Sequence, residues 1–392
     1  MRALCAWNTS LVSALAELGE DDRVDALDAL DPLFEVLGSH PRVEGRFEVR
    51  VLVAETGEAL AIDPRHADAH VNLGRLLHEA GEAGGAEEHY KSALAATVNR
   101  VPLVVKLTTD PAFERSRRLG LYSGDVAGFQ RPHPSKAIRY LKLVRAAMLS
   151  RAERLVIPSR YLADMAPAWG VPAARVTVVP NPAPPVGQLA PREELRRRLG
   201  IDAATFVFVG RLAAAKQLPL AVSALRQVPG ACLVIIGDGP ERQRVEESVA
   251  DSGLEGRVVL KGALPRSEAI EWLRVADAAL LSSAYENFPH AAVEAIAAGT
   301  PVVSTAVGGV PEIIETGVNG ILVPPGDERA LAEAMRSVTT DAKLAAALRE
   351  GAAASVGRYG ADRAYEAIER VLLAAVLRNG PGAKEAGGRI EP

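Results

Sequence analysis

Between about residues 200 and 335, short apolar runs and periodic helical stretches alternate without a break. TFVFVG, ACLVIIGDG, RVVLKG, DAALLSS, PVVST and GILVPP read as strands, separated by the helical patterns PLAVSALRQV, ERQRVEESVADSG, SEAIEWLRVA and HAAVEAIAAG. β-rich runs stopped by Gly or Pro and joined through helices leave little choice of architecture: they are βαβ units around a parallel sheet. Such a sheet binds its ligands beyond the carboxyl ends of its strands. The residues there are Gly210 and Arg211, Gly237 to Gly239, Gly262, Glu286, and Gly308 with Gly309.

Residues 101–180 hold a shorter stretch of the same kind. VPLVVKL, RLVIP and RVTVVP read as strands, SKAIRYLKLVRAAMLSRA and SRYLADMAPAWG as helices, the second with Ser159 as N-cap. NPAPPVGQLAPREEL then reads as a proline-rich linker where two sheets could hinge. The first hundred residues differ. HADAHVNLGRLLHEAGEAGGAEEHYKSALA resembles a tetratricopeptide repeat, with Leu73, Gly74 and Leu77 on one helix and Ala86, Tyr90 and Ala93 on the next. The register extends back onto EALA at 58–61. The expected organisation is a mostly helical segment over 1–99 with the repeat at 58–97, a partial parallel-sheet domain over 100–188, and a complete parallel-sheet domain over 189–345. A C-terminal helix and tail fill 346–392.

Charge and composition narrow the function. A net charge of -4 gives no global attraction to nucleic acid, and none is expected as a partner. The two cysteines, Cys5 and Cys232, form neither a disulfide framework nor a metal cluster, which fits a reducing, cytoplasmic setting. Neither a signal peptide nor a membrane span is read from the sequence.

Chemistry concentrates in SSAYENFPHAAVEAIAAGTPVVS, where Glu286 and Glu294 stand eight positions apart, one in a loop and one on a helix entered through Pro289. Carboxylates spaced along a crevice accept hydrogen bonds from vicinal hydroxyls, which suits a sugar ligand. These glutamates, with VGRLAAAKQL, IIGDGPER, VVLKGAL and GTPVVSTAVGGVPEIIETGVNGILVPPGD, resemble glycosyltransferase family 4, the retaining GT-B type. The resemblance spans about 101–345. It implies a GT-B-like α/β fold of two Rossmann-like domains, the first incomplete or rearranged behind the repeat-like segment.

It also implies the roles of the residues. Arg211 and Lys216 clamp the donor diphosphate, Glu294 holds the nucleotide ribose and Glu286 binds hydroxyls of the transferred sugar. Phe288 and Pro289 line the sugar side by backbone contact, Gly262 to Leu264 touch the base, and Gly210 and Gly239 belong to the donor loops. A nucleotide-diphosphate sugar is then the substrate, with no cofactor and no metal, because two fixed cations meet the charge of the leaving group. The acceptor is a carbohydrate, a lipid-linked sugar or a small molecule. On the acceptor side the chain has Thr108, Thr109 and Asp110 where family members often carry a histidine. Asp110 reads either as an acceptor-orienting carboxylate or as an N-cap.

Two further partners follow from the sequence. The helical repeat offers a surface for another protein. The basic residues between Lys136 and Arg154 offer a weak contact to anionic membrane, although their spacing of three spreads them around the helix as on a solvated one. The competing function is an interaction scaffold built from the repeat and a decayed, non-catalytic transferase domain.

Overall fold

The computed structural model describes residues 49–53, 59–62, 103–183, 186–187 and 189–379, with 49–53, 59–62 and 376–379 described by backbone alone. The chain divides into two compact units. One takes residues up to Ile157, Ala163–Val178 and the stretch from Ala367; the other takes Pro158–Leu162 and Val179–Glu366.

The first unit begins with β1 (Val49–Val53) and β2 (Ala59–Ile62), then β3 (Leu103–Lys106), α1 (Pro111–Arg118), α2 (Val126–Gln130), α3 (Lys136–Leu149) and β4 (Arg154–Ile157). Next in the chain is α4 (Arg160–Ala163), whose residues up to Leu162 belong to the other unit, and the first unit resumes with a 3₁₀ turn at Ala166–Trp169 and β5 (Val176–Val178). The strands form a sheet of order β2-β1-β3-β4-β5, parallel except for the β1–β2 pair. The strand at Ala59–Ile62 corrects one expectation: over 59–61, where the repeat register was extended, the chain is strand and not helix. The valines of VRVLV favour an extended backbone, and Ala59–Ile62 pairs antiparallel along them. The remainder of the repeat-like stretch lies outside the described residues.

Expected as one helix, SRYLADMAPAWG is instead the four-residue α4 followed by the 3₁₀ turn, because Pro167 has no N–H to continue a helical ladder. Ser159 caps it as expected, its hydroxyl accepting from Leu162 N at 3.1 Å. On α3 the buried residues are Ile138, Arg145 and Leu149, so one of the basic residues faces the core.

The second unit runs α5 (Arg192–Leu199), β6 (Ala204–Val209), α6 (Leu218–Arg226), β7 (Ala231–Ile236), α7 (Arg242–Asp251), β8 (Val258–Gly262), α8 (Arg266–Val275) and β9 (Ala278–Leu281). It continues through α9 (His290–Ala297), β10 (Val302–Thr305), α10 (Val310–Ile313), β11 (Gly320–Val323), α11 (Glu328–Thr340) and α12 (Ala342–Ser355), and α13 (Ala361–Asn379) follows. Part of the stretch expected to be linker is already helical, as α5 starts at Arg192 behind Pro191. All six strands are parallel, in the order β11-β10-β9-β6-β7-β8. Both faces are covered, which is why Phe206, Val207, Phe208, Leu233 and Ile235 are buried in near-continuous apolar runs. The strand order reverses between β6 and β9. That reversal opens a crevice at the carboxyl ends of these two strands, where a doubly wound sheet receives its ligand.

Candidate active site

The crevice is built from loops tied together by backbone. Gly210 N donates to Ile236 O at 2.9 Å, Leu212 N to Asp238 O at 2.9 Å and Gly237 N to Gly262 O at 2.8 Å, so the turns after β6, β7 and β8 form one connected rim. Close approach demands glycine there: a Cβ on Gly237 would run into the Gly210 carbonyl, and one on Gly239 into that of Leu212. Arg211 leaves this rim exposed, with no ion pair among the described residues.

Lys216 ends a short 3₁₀ turn at Ala214–Lys216, and Gln217 follows at φ 46° in the left-handed region. This turn is clamped from across the crevice. The Ser282 hydroxyl donates to the Lys216 and Gln217 carbonyls at 2.8 and 3.1 Å, and Ala284 N to Ala215 O at 2.7 Å. Lys216 thereby reaches the loop after β9.

There Glu286, 7% exposed, receives the Lys216 ammonium and the Ser283 hydroxyl, both at 2.6 Å and both on Oε1. Its Oε2 has no partner among the described residues. Ser283 is held in turn by Thr305, whose hydroxyl donates to the Ser283 carbonyl at 2.6 Å. The Glu286 backbone accepts from Gly309 N at 3.3 Å, and a Cβ on Gly308 would collide with the same carbonyl. One carboxylate oxygen is therefore fixed and the other is presented.

Glu294 lies on α9, where its Oε1 accepts from Arg266 Nη2 at 2.8 Å. Pro289 is the N-cap of α9, and the Phe288 ring is buried edge-to-face on Tyr359 at 6.1 Å between centroids. His290 opens the helix with its Nε2 3.2 Å from Asn181 Nδ2. Gly262 turns at φ 70° after β8, with Leu264 half-buried two residues on.

In the first unit Asp110 is buried and engaged on both oxygens. It caps α1 by accepting from Ala112 N and Phe113 N at 2.9 and 3.2 Å, and its other oxygen takes Gln130 Nε2 at 2.9 Å and the Arg145 guanidinium. Of the two readings left open by the sequence, the geometry is that of the N-cap. Thr109 donates to Glu114 at 3.3 Å.

Sequence reasoning passed over Ser283, Thr305 and Arg266, which act on the two glutamates, and Glu312. The Glu312 carboxylate accepts from the backbone of Arg160 and Tyr161, both at 2.8 Å, tying Pro158–Leu162 into the second unit. A hydroxyl three residues before Glu286 was the only local signal among them.

The family model described as "Glycosyl transferases group 1" matches residues 191–355, and the one described as "Glycosyl transferase 4-like domain" matches 86–182. The D-inositol 3-phosphate glycosyltransferase of Xylanimonas cellulosilytica is 32% identical over 300 residues, 73% of this chain and 69% of that protein. The chain belongs to the group 1 glycosyl transferases. Another relative in the group is the 2-deoxystreptamine N-acetyl-D-glucosaminyltransferase of Streptomyces fradiae, 35% identical over 62% of this chain. The chain spans 61% of that relative's length. Among solved structures, Anabaena HepE in complex with UDP superposes with a TM-score of 0.63 at 23% identity, covering 79% of this chain and 82% of that one. Sucrose-phosphate synthase from Thermosynechococcus elongatus gives 0.62 at 23% identity, covering 73% of each chain. The fold of this glycosyl transferase is GT-B. Among the described residues no helix is long and apolar enough to cross a membrane.

Proposed function

We propose that this chain transfers a sugar, with retention and without a metal, from a nucleotide-diphosphate sugar to a hydroxylated acceptor. The observation that carries the reading is Glu286: a buried carboxylate at the strand-order reversal, pinned through Oε1 by Lys216 and Ser283 and open at Oε2. A carboxylate so held loses little freedom when sugar hydroxyls donate to it, and its orientation is set before the donor arrives.

Arg211 and Lys216 then serve the leaving group. As the glycosidic bond breaks, negative charge grows on the diphosphate, and a guanidinium and an ammonium stabilise that state more than the ground state. Lys216 joins the two halves of the task, because the cation that meets the phosphates is the one that orients the sugar-binding carboxylate. Glu294 accepts from the ribose hydroxyls through the oxygen that Arg266 leaves open. Gly210, Gly239, Gly262 and Leu264 form the rim on which diphosphate and base rest. The acceptor attacks on the face from which the diphosphate leaves, and a phosphate oxygen takes its proton.

The relatives' names choose the first acceptors to assay, 2-deoxystreptamine and D-inositol 3-phosphate. The test is release of nucleoside diphosphate from UDP-, GDP- and ADP-sugars with each acceptor, with and without EDTA, followed by NMR assignment of the product anomer. Acceptor-dependent release that survives EDTA, falls about a hundredfold or more in Glu286→Gln and gives the donor's anomeric configuration supports the reading. Turnover unaffected by Glu286→Gln overturns it.

A further inference from the structure

At the opposite end of the same sheet, where strands begin, arginines converge on the segment that leads into β9. Arg192 and Arg196 come from α5, Arg274 from α8 and Arg349 from α12. Arg196 donates to Val275 O at 3.0 Å and to Ala203 O at 2.8 Å; Arg349 donates to Ala276 O at 2.9 Å and to Asp277 O at 3.4 Å. Arg274 donates to Ala298 O at 2.9 Å, at the end of α9.

The negative charge facing them is small. Asp277 meets Arg192 at 2.7 Å and Arg196 at 3.6 Å, and it also accepts from Thr205 N at 2.8 Å. Glu193, mostly in solvent, touches Arg192 at 3.4 Å. Three guanidinium nitrogens, Arg192 Nε, Arg274 Nε and Arg349 Nη1, are buried without a hydrogen-bond partner. Buried donors are nearly always satisfied, and a charged one left unpaired carries the full cost of desolvation. Burial first, and then the neighbouring Arg192, Arg274 and Arg196 against Asp277, push the Arg349 guanidinium down to about 10. Arg192 and Arg196 share the one Asp277 carboxylate, Arg349 holds the same residue's carbonyl, and Arg192 and Arg349 each keep an unpartnered donor, an excess of positive charge that makes a field for an anion; guanidinium forks match the edges of a phosphate.

We propose that Arg192, Arg196 and Arg349 form a second anion site, which takes a phosphate-class oxyanion at the end of the β6–β9 sheet remote from Glu286. The site is independent of the donor reading. It lets the concentration of a phosphate compound set the stability of the domain that carries Glu286, since a ligand bound only to the folded state stabilises it by mass action.

The test is thermal unfolding of the full chain at constant ionic strength, with inorganic phosphate or glycerol 3-phosphate replacing chloride. Arg211→Ala serves as control, because inorganic phosphate could also reach the donor crevice. A saturable rise of about 3 °C at roughly tenfold excess over Kd is expected in the wild type and in Arg211→Ala. Arg349→Gln and Arg192→Gln should lose at least half of it, and if one of them fails to fold the other decides. Saturation by glycerol 3-phosphate at lower concentration supports a phosphate ester as the ligand; the reverse order supports free phosphate. No rise beyond chloride, a rise lost in Arg211→Ala, or a full rise in both arginine variants overturns the proposal.

Discussion

Each unit buries a carboxylate beside a cation, and the two pairs are built for opposite ends. Asp110 in the first unit is closed: two backbone N–H groups, Gln130 and Arg145 fill its oxygens. Gln130 Oε1 also accepts from Trp169 Nε1 at 3.0 Å, so α1, α2, α3 and the 3₁₀ turn after α4 are locked into one network. Arg145 stacks on the Trp169 ring at 5.4 Å; burial pulls its guanidinium down from the ordinary value while Asp110 holds it up. Glu286 in the second unit is half open, with both of its bonds on one oxygen. Asp110 is satisfied on both oxygens and ties helices together, whereas Glu286 is held on one oxygen only, which is the geometry that the proposed sugar-binding role requires.

The contrast breaks most sharply at Arg145. Arg145→Ala leaves Asp110 buried without its cation and should destabilise the chain by about 3–5 kcal/mol, read from chemical denaturation. Were the loss under about 1 kcal/mol, the closed network would not be structural. Glu286→Gln should do the reverse, cutting kcat/KM for the donor about 10²- to 10³-fold while the melting temperature moves little. A large fall in melting temperature with unchanged turnover would place Glu286 in the same class as Asp110.

Smaller effects sharpen the difference. Ser283→Ala removes one of the two bonds on Oε1 and should cost about 1 kcal/mol of transition-state stabilisation, near fivefold in kcat/KM, with Ser283→Thr restoring part of it. Equal losses in the alanine and threonine variants would count against a positioning role. The smallest effect belongs to the loop itself. Gln217 holds a left-handed backbone next to Lys216, so Gln217→Gly should stabilise by about 0.5 kcal/mol, relief of strain exceeding the added freedom of the unfolded chain. A destabilised variant would show that the Gln217 side chain, not its backbone, supports the crevice.

Much of the second unit was legible from local pattern. Strand runs such as FVFV and CLVII are apolar on both faces, and the Gly or Pro at their ends marks the turns, so β6 to β11 and their helices fall where the periodicity puts them. Arg211, Lys216 and Glu286 stand in loops that follow strands, and Glu294 stands eight positions beyond Glu286 on a helix entered through Pro289, so their placement on loop and helix could be read from the chain. The first unit was less legible. Proline at position 167 broke an expected helix, and β2 pairs with β1 through a register that no local periodicity shows.

What the sequence by itself determined is the alternation, and with it a parallel sheet whose ligand loops carry two glutamates and two cations. Hydrophobic period and glycine placement act over a few residues, so they can be read from the chain. Tertiary structure decided the rest. Lys216 meets Glu286 across 70 positions, Glu312 caps the backbone of Tyr161 across 151, and Arg192 reaches Asp277 across 85. Contacts of this kind depend on distance in space and on burial, and neither exists until the chain has folded; for Lys216 and Glu286 the strand order must first place β6 beside β9.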